Sequence, residues 1–205
     1  MTKAHWLLTI LGSIVLIAGC SQPPNDQISA AEQAVKEAQE NGAATYVPDE
    51  YAKVEGMLSA MKKEIADQDA KFALLRDYGK VEQLAATTKA EADQLKTEAT
   101  KKMEEAKDAA KQAQQAAQEA VKATTELVAK APVGKDRAAL ESIKADAEGL
   151  KASLVDVQMM IDKSDYLGAQ TKAKAIQEKS RAVSQEIETA LAKMGKGKAA
   201  ARKRK

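Results

Sequence analysis

The chain has 205 residues, 44% hydrophobic and 30% charged but only 3% aromatic, with a formal net charge of +2. So few large side chains exclude a thick globule. The abundance of Ala, Lys, Glu and Gln predicts an all-α fold of long helical hairpins in a coiled-coil-like bundle.

The first element is a leader. Met1 to His5 carries Lys3, and Trp6 to Ile17 is apolar except for Thr9, Gly12 and Ser13. This run is short for a membrane span, which needs about 20 residues. It ends in Ile17-Ala18-Gly19-Cys20, small residues followed by the only cysteine. A charged start, an apolar stretch and a small-residue cut site are the marks of an export signal. The four residues at the cut resemble the lipobox of bacterial lipoproteins. That resemblance implies removal of residues 1–19, cleavage between Gly19 and Cys20, and lipidation of Cys20. Two or three acyl chains anchor durably where one binds only marginally. Ser21, in place of the Asp that retains such proteins at the inner membrane in enteric-type bacteria, points to the periplasmic face of the outer membrane.

Removing the leader also removes His5 and Trp6, and acylation would occupy the only thiol. The expected mature chain then lacks the usual general base near neutral pH, a Ser/His or Cys/His nucleophile pair, and His or Cys metal ligands. No Gly-rich phosphate loop is present, since Gly195 and Gly197 follow no strand. An enzyme is not expected, and no catalytic residue, metal or cofactor is assigned.

Residues 20–27, with Pro23-Pro24, read as a lipidated tether. A helical region is predicted over 28–131. Its first helix runs from about Ile28 to Glu40 and stops at Asn41-Gly42. Residues 43–47 read as a turn. Pro48 suits a first helical position, with Asp49 and Glu50 on the positive end of the dipole. Tyr51, Val54, Met57 or Leu58, Met61 and Ile65 share one face of this second helix, which ends near Asp67. Asp69 is the expected cap of a third, long Ala-rich helix reaching Lys130. Its inner face is expected to begin with Phe72 and Leu75 and continue through Val81, Leu84, Thr88, Ala92, Leu95 and Ala99. The three-four-four steps from Val81 suggest an eleven-residue rhythm. From Met103 the steps become three-four, a heptad.

Ala131-Pro132-Val133-Gly134 is the expected main boundary. Residues 132–194 then read as an antiparallel hairpin. Leu140 to Ile161 keeps three-four spacing, 162–165 is a polar turn, and Tyr166 to Met194 repeats the rhythm. Asp69…Phe72 and Asp162…Tyr166 suggest a weak repeat in which an aromatic packs across each hairpin end.

Tyr46-Val47-Pro48-Asp49-Glu50-Tyr51-Ala52-Lys53 resembles an uncharacterised family of bacterial lipoproteins with a Tyr-x-Pro-x-Glu motif and Ala-rich hairpins. The resemblance covers residues 28–125. It implies tetratricopeptide-like helix-turn-helix units and names no activity.

Residues 195–205 read as a basic, disordered tail. No acidic residue follows Glu188, whereas Lys193, Lys196, Lys198, Arg202, Lys203, Arg204 and Lys205 supply seven positive charges. Removing Lys3 takes the net charge from +2 to +1, and setting these seven aside leaves a mature body of −6. A solubilising tail is the plainest reading. Docking on an anionic envelope polymer or headgroup is another, and Lys196, Lys198, Arg202, Lys203, Arg204 and Lys205 are the candidate contacts. Nucleic acid is not an expected partner of an exported chain whose tail lacks aromatics for stacking. Arg202-Lys203-Arg204-Lys205 also resembles the end of the Braun-type lipoprotein, which implies attachment of the Lys205 side-chain amine to peptidoglycan. Ala201 stands where that family has an aromatic. The sequence therefore suggests a lipid-anchored envelope protein with a tethering role. The alternative is an adaptor whose helical grooves bind a protein partner, with self-association as a variant.

Overall fold

The computed structural model of the protein describes residues 22–131 and 137–202. It is all-α: six helices, with no strand among the described residues. They are α1 (Asn25–Glu40), α2 (Ala43–Tyr46), α3 (Pro48–Asp69), α4 (Gly79–Lys130), α5 (Arg137–Asp162) and α6 (Tyr166–Arg202). A 3₁₀ turn, Ala73–Leu75, lies between α3 and α4.

Two compact units divide the chain, one ending at Thr100 and the other beginning at Lys101. The division falls inside α4, not at the predicted boundary beside Pro132. Packing explains the difference. Val128, late in α4, is buried in one cluster with Ala147 of α5 and Ile187 of α6, so this stretch of helix belongs to the second core.

In the first unit, α1 stops as its sequence requires. The Asn41 side-chain amide donates to Glu37 O at 2.7 Å, and Gly42 follows at φ +86°. That left-handed conformation costs glycine nothing sterically. Residues 43–47, expected as a turn, instead include the one-turn helix α2, whose Ala43 is buried. Pro48 opens α3 as predicted, with Asp49 and Glu50 in its first turn. One core cluster joins Ala34, Val35 and Ala38 of α1 to Tyr51 and Val54 of α3 and to Ala92, Leu95 and Ala99 of α4. A second joins Ala31, Met61, Tyr78, Val81 and Ala85, with Ile28, Leu58 and Ile65 against it. Alanine supplies most of the α1 and α4 side chains in these clusters: Ala31, Ala34 and Ala38 from α1, and Ala85, Ala92 and Ala99 from α4.

The start of α4 departs from expectation. Phe72 and Leu75 do not open its inner face. Both are exposed, and the helix begins at Gly79. The buried aromatic is Tyr78. From it the inward positions are Val81, Ala85, Thr88, Ala92, Leu95 and Ala99. Ala85 is therefore the fully buried position, with the expected Leu84 half-buried against the same cluster, and the fully buried steps are heptad from the outset. No eleven-residue rhythm is present over this stretch.

The second unit keeps the predicted hairpin. Residues 163–165 make a tight turn with Ser164 at φ 62°. Lys172 pairs with Asp156, and Ile187 packs with Ala147, so α5 and α6 run antiparallel. Here Tyr166 leads the inward series Ala169, Ala173, Ile176, Ser180, half-buried Val183 and Ile187. These positions fall 3, 7, 10, 14, 17 and 21 residues after Tyr166, the offsets that separate Tyr78 from Val81 through Ala99. The two series share their spacing, and the pair that precedes each is Asp77-Tyr78 and Asp165-Tyr166, not Asp69…Phe72.

Each core buries hydroxyls with different outcomes. Thr124 Oγ1 lies 2.6 Å from Ser180 Oγ and 2.8 Å from Ser184 Oγ. Thr88 Oγ1 is buried with no hydrogen-bond partner. An unpaired buried hydroxyl keeps its full desolvation cost. Thr88→Val is expected to raise stability by about 1 kcal/mol and Thr124→Val to lower it by about 1 kcal/mol. Urea unfolding followed by circular dichroism checks both signs.

Candidate functional site

The residues assigned from sequence occupy the chain ends. Gly19 and Cys20 lie outside the described residues, as do Lys203, Arg204 and Lys205. Lys196, Lys198 and Arg202 fall within α6, whose helical backbone continues to Arg202. Residues 195–202 are thus helical where a disordered tail was expected. Ala199-Ala200-Ala201 and the intervening lysines favour helix enough to carry it past Gly195 and Gly197.

The structure adds a site that the sequence reading missed, the corner joining α3 to α4. The stretch from Ala70 to Arg76 is rich in helix formers, yet side chains break the helix there. The Gln68 side-chain carbonyl accepts Lys71 Nζ at 2.9 Å and the Asp77 backbone N–H at 3.0 Å. The Arg76 guanidinium donates to Asp69 O at 2.9 Å and Lys71 O at 3.1 Å. Tyr78 donates its hydroxyl to Asp69 Oδ1 at 2.5 Å. Asp77 Oδ1 then accepts the Gly79 N–H at 2.9 Å and opens α4. Asp165 does the same for Gly168 at 3.1 Å, the other Asp-Tyr position. The polar groups turn inward to hold this corner, while Phe72, Leu74 and Leu75 stand 72, 70 and 70% exposed. The signal available in the sequence was the Asp77-Tyr78 pair itself, matching Asp165-Tyr166.

Electrostatics brace the same unit. Lys80 reaches from α4 to Glu64 of α3, and Lys96 reaches from α4 to Glu37 of α1. The Lys80 hydrogen bond, followed by that of Gln68, holds Glu64 below the usual carboxylate range. Lys96, followed by Gln33, does so for Glu37. The Tyr78 phenol is pushed up, first by its bond to Asp69 and then by burial. None of these groups is set against a nucleophile. They bridge helices.

Among the described residues, no group of three or more His, Cys, Asp or Glu could hold a metal ion. No described helix is long and apolar enough to cross a membrane. No family model, curated protein or solved structure matches the chain.

The two depressed carboxylates give a pH dependence. Their charged forms are favoured by folding, so their stabilisation is complete above the unfolded Glu value of about 4.3. It is lost as pH falls through their lower folded values. Thermal stability should therefore decline below about pH 4.3. Glu37→Gln combined with Glu64→Gln should lower the neutral-pH melting temperature and flatten the acid decline. A melting series from pH 7 to pH 2 reads both effects.

Proposed function

We propose that the protein is a lipid-anchored component of a bacterial cell envelope with a structural or tethering role. Acyl chains on Cys20 hold one end at the periplasmic face of the outer membrane. The cationic end of α6 and the residues beyond it contact cell wall or another anionic surface. The observation that carries this reading is the placement of the only cysteine directly after Ile17-Ala18-Gly19 and an apolar run. The uneven charge supports it: seven cations follow Glu188 on a body that is otherwise acidic. Helical hairpins suit a spacer, because they extend through local hydrogen bonds and need little core. The tetratricopeptide-like reading of the helix-turn-helix units belongs to the same proposal.

A second reading, a scaffold that binds a protein partner, is favoured by one observation. Val155 and Met159 are exposed one helical turn apart on α5, with Leu167 exposed at the start of α6. A defined complex that survives deletion of residues 195–205 and is lost on Val155→Ser with Met159→Ser would favour this reading over tethering.

The anchor has a direct test. Wild-type chain expressed in a bacterial host should fractionate with membranes and incorporate radiolabelled palmitate. Cys20→Ala should lose the label completely and remain uncleaved. Labelled Cys20→Ala would sink the anchor.

The tail has its own test. Each basic residue near an anionic surface contributes about 1 kcal/mol at low ionic strength. Changing Lys196, Lys198, Arg202 and Lys203 to Gln should therefore release the protein from envelope polymer at much lower salt. Unchanged salt dependence would remove the electrostatic contact. Hot detergent separates this from attachment through Lys205, because only a covalent link to purified sacculi survives such washing.

A further inference from the structure

The α3–α4 corner holds apolar side chains in water on a rigid frame. Phe72, Leu74 and Leu75 are the most exposed large hydrophobic residues among those described, and Phe72 is the chain's only Phe. They do not lie on slack backbone. Leu75 N–H closes the 3₁₀ turn on Phe72 O at 2.8 Å, and Arg76 ties the turn to Asp69 and Lys71 carbonyls. Folding thus fixes three oily groups outward, the reverse of their usual placement.

Their position in the unit is informative. Helix α1 runs antiparallel to α3: Glu32 pairs with Lys62, and Ile28 packs on the cluster of Met61 and Tyr78. The end where α1 begins is therefore the end where α3 finishes and the corner stands. The described chain starts at Gln22, two residues after Cys20, a reach of at most about 7 Å. An acyl group on Cys20 would enter a bilayer beside this corner.

Size and charge select the occupant. Three such side chains offer a patch on the order of a few hundred Å². A stable protein interface buries about 1,200 Å² or more, so two copies meeting here fall short. Formal charges at the corner cancel, with Lys71 and Arg76 against Asp69 and Asp77. An anionic partner has little to grip, whereas the interfacial layer of a bilayer takes up apolar side chains in proportion to the area they bury.

We propose that Phe72, Leu74 and Leu75 insert into the interfacial layer of the bilayer that carries the Cys20 lipid, as a second, non-covalent membrane contact that orients the first unit. This rests on the lipid-anchored reading of Cys20.

The test uses the mature acylated protein. With Cys20 acylated, a single introduced thiol can be labelled selectively. Ala73→Cys places an environment-sensitive fluorophore on the corner, and Thr45→Cys places one at the opposite end of the unit. In phosphatidylcholine vesicles the label at 73 should shift to the blue and lose about half its emission to shallow nitroxide lipids, the depth expected of interfacial insertion. The label at 45 should do neither. Adding Phe72→Ser, Leu74→Ser and Leu75→Ser should return the label at 73 to water. Because all three are exposed, the helical circular dichroism should not change. Acylated Cys20 with a water-exposed label at 73 overturns the corner contact alone. A blue shift that depends on protein density and not on lipid assigns the corner to a second copy, and also overturns it. Unmodified Cys20 by mass spectrometry overturns the anchor and the contact together.

Discussion

Close contact between small side chains is the constraint on which the first unit depends. Ala31, Ala34 and Ala38 of α1 and Ala85, Ala92 and Ala99 of α4 are buried. Each methyl contributes little, since burial stabilises by about 25 cal/mol per Å². The return comes from approach: where both faces are nearly flat, many weak atom contacts form along the whole seam. Larger residues complete the two clusters, Met61 and Tyr78 in one and Tyr51 near the start of α3 in the other. Ion pairs tie α4 to both neighbours, Lys80 to Glu64 of α3 and Lys96 to Glu37 of α1, and add register more than strength.

Polar groups inside the seam also carry information. The Thr124–Ser180–Ser184 hydroxyls meet only when α4 and α6 hold one axial register. A slip by one turn would bury them unpaired, so the cluster penalises the wrong alignment. Thr88 occupies the position 10 residues after its tyrosine, where Ile176 stands in the other series, and its hydroxyl finds no partner.

Much of the helical layout could be read from residues alone. Asn41-Gly42 and Pro48 announce helix boundaries through backbone chemistry that needs no tertiary help. The three-four spacing holds in α5 from Ala147 to Val157 and in α6 from Tyr166 to Ile187, but beyond that Ala190 is exposed and Leu191 packs on the core in its place. In α4 alanine lies on several faces, so Ala85 could not be told from Leu84 as the fully buried residue without its neighbours. The corner from Ala70 to Tyr78 was hidden for a different reason. Its local preferences favour helix, and only specific side-chain hydrogen bonds within the corner, from Gln68, Arg76 and Tyr78, overrule them. The boundary at Thr100 likewise has no local signal, since α4 is unbroken there and only its partners change.

The tyrosine-led register also bears on how this sequence can vary. Nine residues separate α3 from α4, and three separate α5 from α6, yet the inward series after Tyr78 and Tyr166 are superimposable in spacing. The two connections thus differ in length while the spacing after each tyrosine is the same. Within the next 21 positions length is constrained. One inserted residue turns the rest of the helix by about 100°, and every later alanine leaves its seam. The 21 positions after each Asp-Tyr pair therefore admit substitution but not insertion.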